Sequence, residues 1–175
     1  SEWYEDVQKR RERNFNVGEI DSTWTTWYKN GNKKFLASYS DGKLNGKYIR
    51  WYEGGIIKEL DGEYLNNKKH KKWIYWSTSG QKTEEINYDN GVHHGSHIKW
   101  FGEKSDQHKK FHINYKDGKK DGNWHHWYPS GVDSLKANYA NGEKDGHWIW
   151  WRKNGLKDKE GFYKKEKKHG LWTIW

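Results

Sequence analysis

Aromatic and turn-forming positions recur along this chain in a single register. In the stretch from Gly122 to Gly146 the order is Trp124, Trp127, Tyr128, Gly131, Tyr139, Gly142 and Gly146. The second Trp returns as Trp27, Trp51, Trp76, Trp100, Trp127, Trp151 and Trp175, at steps of 24, 25, 24, 27, 24 and 24 residues. Tyr39, Tyr64, Tyr88, Tyr115, Tyr139 and Tyr163 keep the same register. Self-similarity at a period of about 20–50 residues signals stacked units that bury surface against their neighbours. Within a unit, an aromatic run from Trp124 to Tyr128 leads to a turn closing at Gly131, and a second run from Ser134 to Tyr139 leads to Asn141-Gly142. Aromatic residues suit strands, and Asn-Gly suits a two-residue turn because both residues tolerate positive φ. Asp41-Gly42, Asn90-Gly91 and Asp117-Gly118 fill that slot elsewhere. Neither run is long enough for a helix. The pattern predicts an all-β fold of stacked antiparallel β-hairpins, about six units of 24 residues, in an elongated twisted sheet.

Strand alternation sorts the faces. In the second strand of a unit, Phe35-Ala37-Tyr39, Phe111-Ile113-Tyr115 and Leu135-Ala137-Tyr139 each point one way. In the first strand, Ile49-Trp51, Ile74-Trp76, Ile98-Trp100 and Ile149-Trp151 share a face, and the first Trp of each unit falls on the other. Both faces therefore carry aromatic residues.

The register has irregularities. Lys71 stands where Gly is usual, His97 replaces the first Trp, and unit four is longer by three residues, placed in the turn GEKSDQHKK. Residues 1–20 lack the pattern, with no Gly before Gly18. They are expected to form a short amphipathic helix or an extended arm that caps the repeat domain, residues 21–175, because an open sheet edge invites aggregation. The chain stops within a unit at Trp172 to Trp175, as a closing edge strand or a cut through a repeat.

Composition sharpens this picture. Only 31% of residues are hydrophobic while 18% are aromatic, and 14 Trp replace the usual Leu, Val and Ile. A Trp buries about 150–250 Å², so few rings can seal a thin sheet. There is no Cys and hence no disulfide or thiolate chemistry. The chain begins at Ser1 without Met, which fits loss of an initiator Met or of a longer leader. No apolar run approaches the roughly 20 residues of a membrane span. The compartment stays open between cytoplasmic and secreted or envelope. The net charge of +9 favours acidic partners.

The pattern G-x-W-x-x-W-Y-x-x-G followed by Y-x-x-G-x-x-x-G, as in Gly122 to Gly146, resembles the variant MORN repeat. It is especially similar to bacterial proteins of the YwqK-family antitoxins, and the resemblance covers residues from about 22 to 175. It implies stacked β-hairpins and a binding or scaffolding role, toward a toxin in some members and at the envelope in others. Lys71, His97 and the long loop of unit four depart from it, and the family supplies no catalytic residue.

The candidate sites are surfaces. The aromatic ladder Trp24, Tyr48, Trp73, Trp124, Trp148 and Trp172 could bind a partner or stack on sugars, although such rings more often form core. Lys43, Lys68, Lys119, Lys120, Lys144 and Lys167 follow the turns in recurring places and predict a basic edge, with equivalent residues of successive hairpins about 10 Å apart. That edge reads equally as protection against edge pairing. His70, His93, His94 and His97 are the densest histidine group. His70, His94 and His169 share a slot with Asn45, Asp121 and Asp145, which reads as a left-handed turn position rather than a metal site. No paired buried carboxylates, Ser-His-Asp set or phosphate loop is present, so no enzyme, cofactor or metal is expected. Nucleic acid has no recognised module here. The expected function is a non-enzymatic scaffold for an acidic protein partner, antitoxin- or immunity-like. The alternatives are a glycan-binding envelope module and a self-assembling filament subunit.

Overall fold

The computed structural model describes residues 1–102 and 108–175. It is all-β, without helices among the described residues. The early strands are β1 (Glu2–Trp3), β2 (Lys9–Asn16), β3 (Glu19–Trp27), β4 (Lys33–Ser40), β5 (Lys43–Trp51), β6 (Lys58–Leu65), β7 (Lys68–Trp76) and β8 (Lys82–Asp89). The later ones are β9 (Val92–Trp100), β10 (Lys109–Lys116), β11 (Lys119–Trp127), β12 (Asp133–Ala140), β13 (Glu143–Lys144), β14 (Gly146–Trp151), β15 (Lys157–Lys164) and β16 (Lys167–Ile174). Hydrogen-bonded neighbours follow chain order in an antiparallel sheet of sixteen described strands, with β13 a spur on β12. Two compact units are present: Ser1–Lys82 with Tyr88–Gly91, and Thr83–Asn87 with Val92–Trp175. Of the longer turn expected in unit four, residues 102–110, positions 103–107 lie outside the described residues, and Lys109 and Lys110 already belong to β10.

Turn chemistry sets the hairpins. Asp41-Gly42, Asn90-Gly91, Asp117-Gly118 and Asn141-Gly142 have both residues at positive φ, and Asn66-Asn67 and Lys165-Glu166 adopt the same geometry. Each turn also hangs on the preceding repeat. Gly42 N–H donates to Ile20 C=O at 3.0 Å, Gly91 to Lys69 at 2.8 Å and Gly142 to Lys120 at 2.8 Å. At the other end of the hairpins, Tyr28 Oη donates to Trp51 C=O at 2.7 Å and Tyr128 Oη to Trp151 C=O at 2.8 Å. Neighbouring repeats are thus tied at both ends, as a nearest-neighbour fold requires. Lys71 does take the left-handed position expected for Gly, at φ 58°.

Register places large rings over small residues. In the first unit Trp24 faces Ala37, Ala37 faces Tyr48 and Tyr48 faces Gly62. Trp73 then lies across Gly62, so that a Cβ there would fall well inside contact with the indole. In the second unit Ile113 lies between His97 and Trp124, Trp124 faces Ala137, and Trp148 faces Gly161. Trp172 closes over Gly161 as Trp73 does over Gly62. Burying about 200 Å² of ring gives on the order of 5 kcal/mol before entropy losses.

The expected N-terminal helix is absent. Residues 2–16 instead build another hairpin from β1 and β2, nearer to the extended alternative. Trp3-Tyr4 stands 24 residues before Trp27-Tyr28, and Tyr4 Oη donates to Trp27 C=O at 3.1 Å. Val7 takes the place of Gly31 and Val17 that of Asp41, at φ 63° and 47°. Two valines in left-handed positions hid this repeat, because turn residues are what mark a hairpin in sequence. Val7 and Val17 are 84% and 97% exposed, so replacing them sacrifices no burial.

Val7→Gly and Val17→Asn are each expected to stabilise the chain by about 0.5–1.5 kcal/mol by relieving left-handed strain. Gly62→Ala is expected to destabilise by about 1–3 kcal/mol, the range for overpacking, because the Trp73 ring must move. Denaturant unfolding measures all three. A Val7→Gly variant less stable than the parent would refute the turn, and a neutral Gly62→Ala the close approach.

Candidate functional site

The aromatic ladder is mostly packing surface. Trp73 and Trp148 are 1% and 4% exposed, and Trp24, Tyr48, Trp124 and Trp172 are half-buried. In the first unit Tyr48 and Tyr64 each approach Trp73, with ring centroids 5.7 and 5.0 Å away. In the second unit Trp148 packs on Trp124 at 5.9 Å and on Tyr163 at 5.2 Å. Trp73 and Trp148 also donate their indole N–H to the carbonyls of Glu63 and Asn138, both at 3.1 Å. The indole nitrogens of Trp24, Trp124 and Trp172 find no protein acceptor.

The six lysines expected along one edge divide into two sets. Lys43, Lys68, Lys119 and Lys167 open β5, β7, β11 and β16 and are exposed. Glu19 and Glu143 open β3 and the spur β13, and Val92 opens β9, so the series alternates in chemistry. Lys120 and Lys144 turn onto the aromatic face instead. Lys120 Nζ lies 4.1 Å from the Trp124 ring centre and Lys144 Nζ 5.6 Å from that of Trp148. Lys69 and Lys168 cover Trp73 and Trp172 in the same way, at 4.3 and 4.4 Å. Their stems seal the rings while the ammonium groups keep to water, a cation–π arrangement worth about 0.5–1 kcal/mol at exposed sites. The opposite face repeats it with the second Trp: Lys9 lies over Trp27 and Lys136 over Trp151, at 5.5 and 5.3 Å.

The histidines do structural work. No group of three or more His, Cys, Asp or Glu is placed for a metal among the described residues. The slot holding His70, His94 and His169 is not itself left-handed; positive φ falls on the next residue, Lys71, Gly95 and Gly170. Its side chains reach the following turn. Asp121 accepts from Asn141 N–H at 2.9 Å, and His94 meets Asp117 at 3.3 Å. His97, in the Trp slot, donates from Nε2 to Glu84 at 2.7 Å, and this bond holds the Glu84 carboxyl below its ordinary range. Burial lowers His112, His125 and His126, helped by neighbouring Lys109 or Lys120. For His125 burial outweighs its 2.6 Å contact with Asp133. His126 packs between Phe111 and Trp124 at 5.6 and 5.0 Å, and its buried Nε2 has no partner, as suits a neutral ring.

Sequence reasoning missed a concavity in the first unit. Arg10, Arg11, Lys34 and Arg50 line a groove of about 660 Å³ whose floor includes Trp24 and Phe35. Arg10 and Arg11 lie on β2, in the stretch expected to form a helix or an extended arm. The signal that would have found them is the Trp3-Tyr4 step, which puts both in a strand.

Neither the protein-family models nor the curated proteins compared with this chain match it.

The lowered histidines make the second unit sensitive to acid. The unfolded chain takes up these protons near pH 6.5, whereas the folded rings bind them only at lower pH. Their contribution is complete above about 6.5 and is lost progressively as pH falls, until the folded rings protonate. Melting temperature is expected to fall between pH 7.5 and 5, and His126→Phe to flatten that fall while keeping the ring contacts. Parallel pH profiles for parent and variant would refute the assignment.

Proposed function

We propose that this chain is a non-enzymatic repeat scaffold that docks an acidic protein partner. The observation that carries the reading is the division of labour among its lysines. Most of the aromatic ladder is committed to packing, under Lys69, Lys120, Lys144 and Lys168. Lys43, Lys68, Lys119 and Lys167 stay exposed at the hairpin ends. Charge on exposed strand ends within each unit steers association with an oppositely charged surface. An immunity-type role toward a toxin is the specific form suggested by the resemblance to the YwqK-family antitoxins. Sugar stacking on Trp73 or Trp148 would require the ladder to open first, which favours a protein partner over a glycan.

The test is affinity capture with the parent chain and with a Lys43→Glu, Lys68→Glu, Lys119→Glu, Lys167→Glu variant, each washed at low and high salt. The parent is expected to retain a discrete acidic protein through the high-salt wash, and the variant to lose it. Retention of the same protein by both would overturn the lysine ends as the docking surface. Retention only at low salt would reduce the interaction to screened net charge.

A further inference from the structure

We infer that the groove of the first unit is a docking site for an extended acidic protein segment, with two carboxylates four residues apart and an apolar residue midway. The inference rests on the scaffold reading above and names a separate recognition element within it.

The groove combines three features. The first is size: about 660 Å³ falls within the range of about 300–1,000 Å³ typical of ligand sites. The second is charge. Arg10, Arg11, Lys34 and Arg50 line it, opposed by Glu59. Arg50 is engaged by Glu59 at 3.0 Å and Arg11 by Glu2 at 3.4 Å. Arg10 and Lys34 have no carboxylate partner among the described residues. Each lies instead over a tyrosine ring, Arg10 at 5.7 Å from Tyr4 and Lys34 at 5.4 Å from Tyr28. Two unpaired cations held over aromatic rings leave their hydrogen-bond donors free for an incoming anion.

The third feature is spacing. Arg11 faces Thr26, Thr26 faces Phe35, and Phe35 faces Arg50, so these four lie in one row across the strands. Three strand spacings separate Arg11 from Arg50, about 14 Å. An extended segment crossing the strands advances about 13 Å in four residues and presents residues i, i+2 and i+4 to the same side. A carboxylate at i then meets Arg11, with Arg10 beside it on β2, and one at i+4 meets Arg50 on β5, with Lys34 one strand nearer the middle on β4. Residue i+2, about 6.6 Å along the row, falls between Thr26 and Phe35, and Phe35 packs edge-on against Trp24 at 5.7 Å. An apolar side chain there covers the ring surface that the row leaves open.

The experiment titrates the full chain, by calorimetry at low and moderate salt, with a synthetic peptide carrying Glu-Ser-Leu-Ser-Glu. Control peptides replace both Glu by Gln, replace Leu by Ser, or set the two Glu side by side. Saturable binding is expected for the first peptide, at least tenfold weaker for each control. Arg10→Glu with Lys34→Glu is expected to weaken it at least tenfold, with circular dichroism and melting unchanged. Lys153→Glu with Lys164→Glu, both exposed in the second unit, is expected to leave it within twofold. Equal binding by parent and the Arg10–Lys34 variant would overturn the site, as would tighter binding of a single-stranded oligonucleotide of matching charge. Failure of the peptide while capture through the exposed lysines persists would remove the groove and leave the scaffold reading standing.

Discussion

The constraint behind this structure is that a sheet with both faces toward water has no second layer to bury against. The chain meets it by laying a large flat ring over a residue that lacks side-chain bulk. Trp73 on Gly62 and Trp172 on Gly161 are the extreme cases, and Trp124 facing Ala137 is a milder one. The small residue lets the indole lie against backbone, and neighbouring tyrosines close its edges. Burial is therefore achieved within one sheet, which explains how a chain with 31% hydrophobic residues can fold.

The lysines complete this arrangement. A ring lying on a sheet still exposes its outer surface, and Lys69, Lys120, Lys144 and Lys168 cover that surface with methylene stems. Charge and packing are thus coupled in one side chain. Where His97 replaces Trp, the neighbourhood changes character and brings a carboxylate partner in Glu84, while His126, in a variable slot, packs between Phe111 and Trp124. The second unit consequently carries a titratable ring, His97, where the other repeats carry an indole or a phenol.

The first unit departs differently. Its opening hairpin has Arg10 and Arg11 on β2, and Arg13 stands where later repeats place Ala37 or Ala137. Arg13 accordingly sits over Trp24, its guanidinium 5.2 Å from the ring centre. Basic side chains thereby replace aliphatic ones at the start of the ladder, and a charged groove forms beside rings that elsewhere are sealed.

The sequence by itself determined the period, the strands and most of the tight turns, because Trp spacing and Asn-Gly or Asp-Gly pairs act locally. It also marked Lys71 as a strained position, since a bulky residue in a Gly slot is visible without coordinates. The opening hairpin was not legible, because Val7 and Val17 occupy turn positions whose φ is imposed by neighbouring strands. Nor could sequence tell Lys119 from Lys120. One residue apart, they lie on opposite sides of a strand, and only cross-strand register decides which meets a ring and which meets water. The groove was hidden for the same reason: Arg11 and Arg50 are far apart in the chain and share a row only once Thr26 and Phe35 are paired between them.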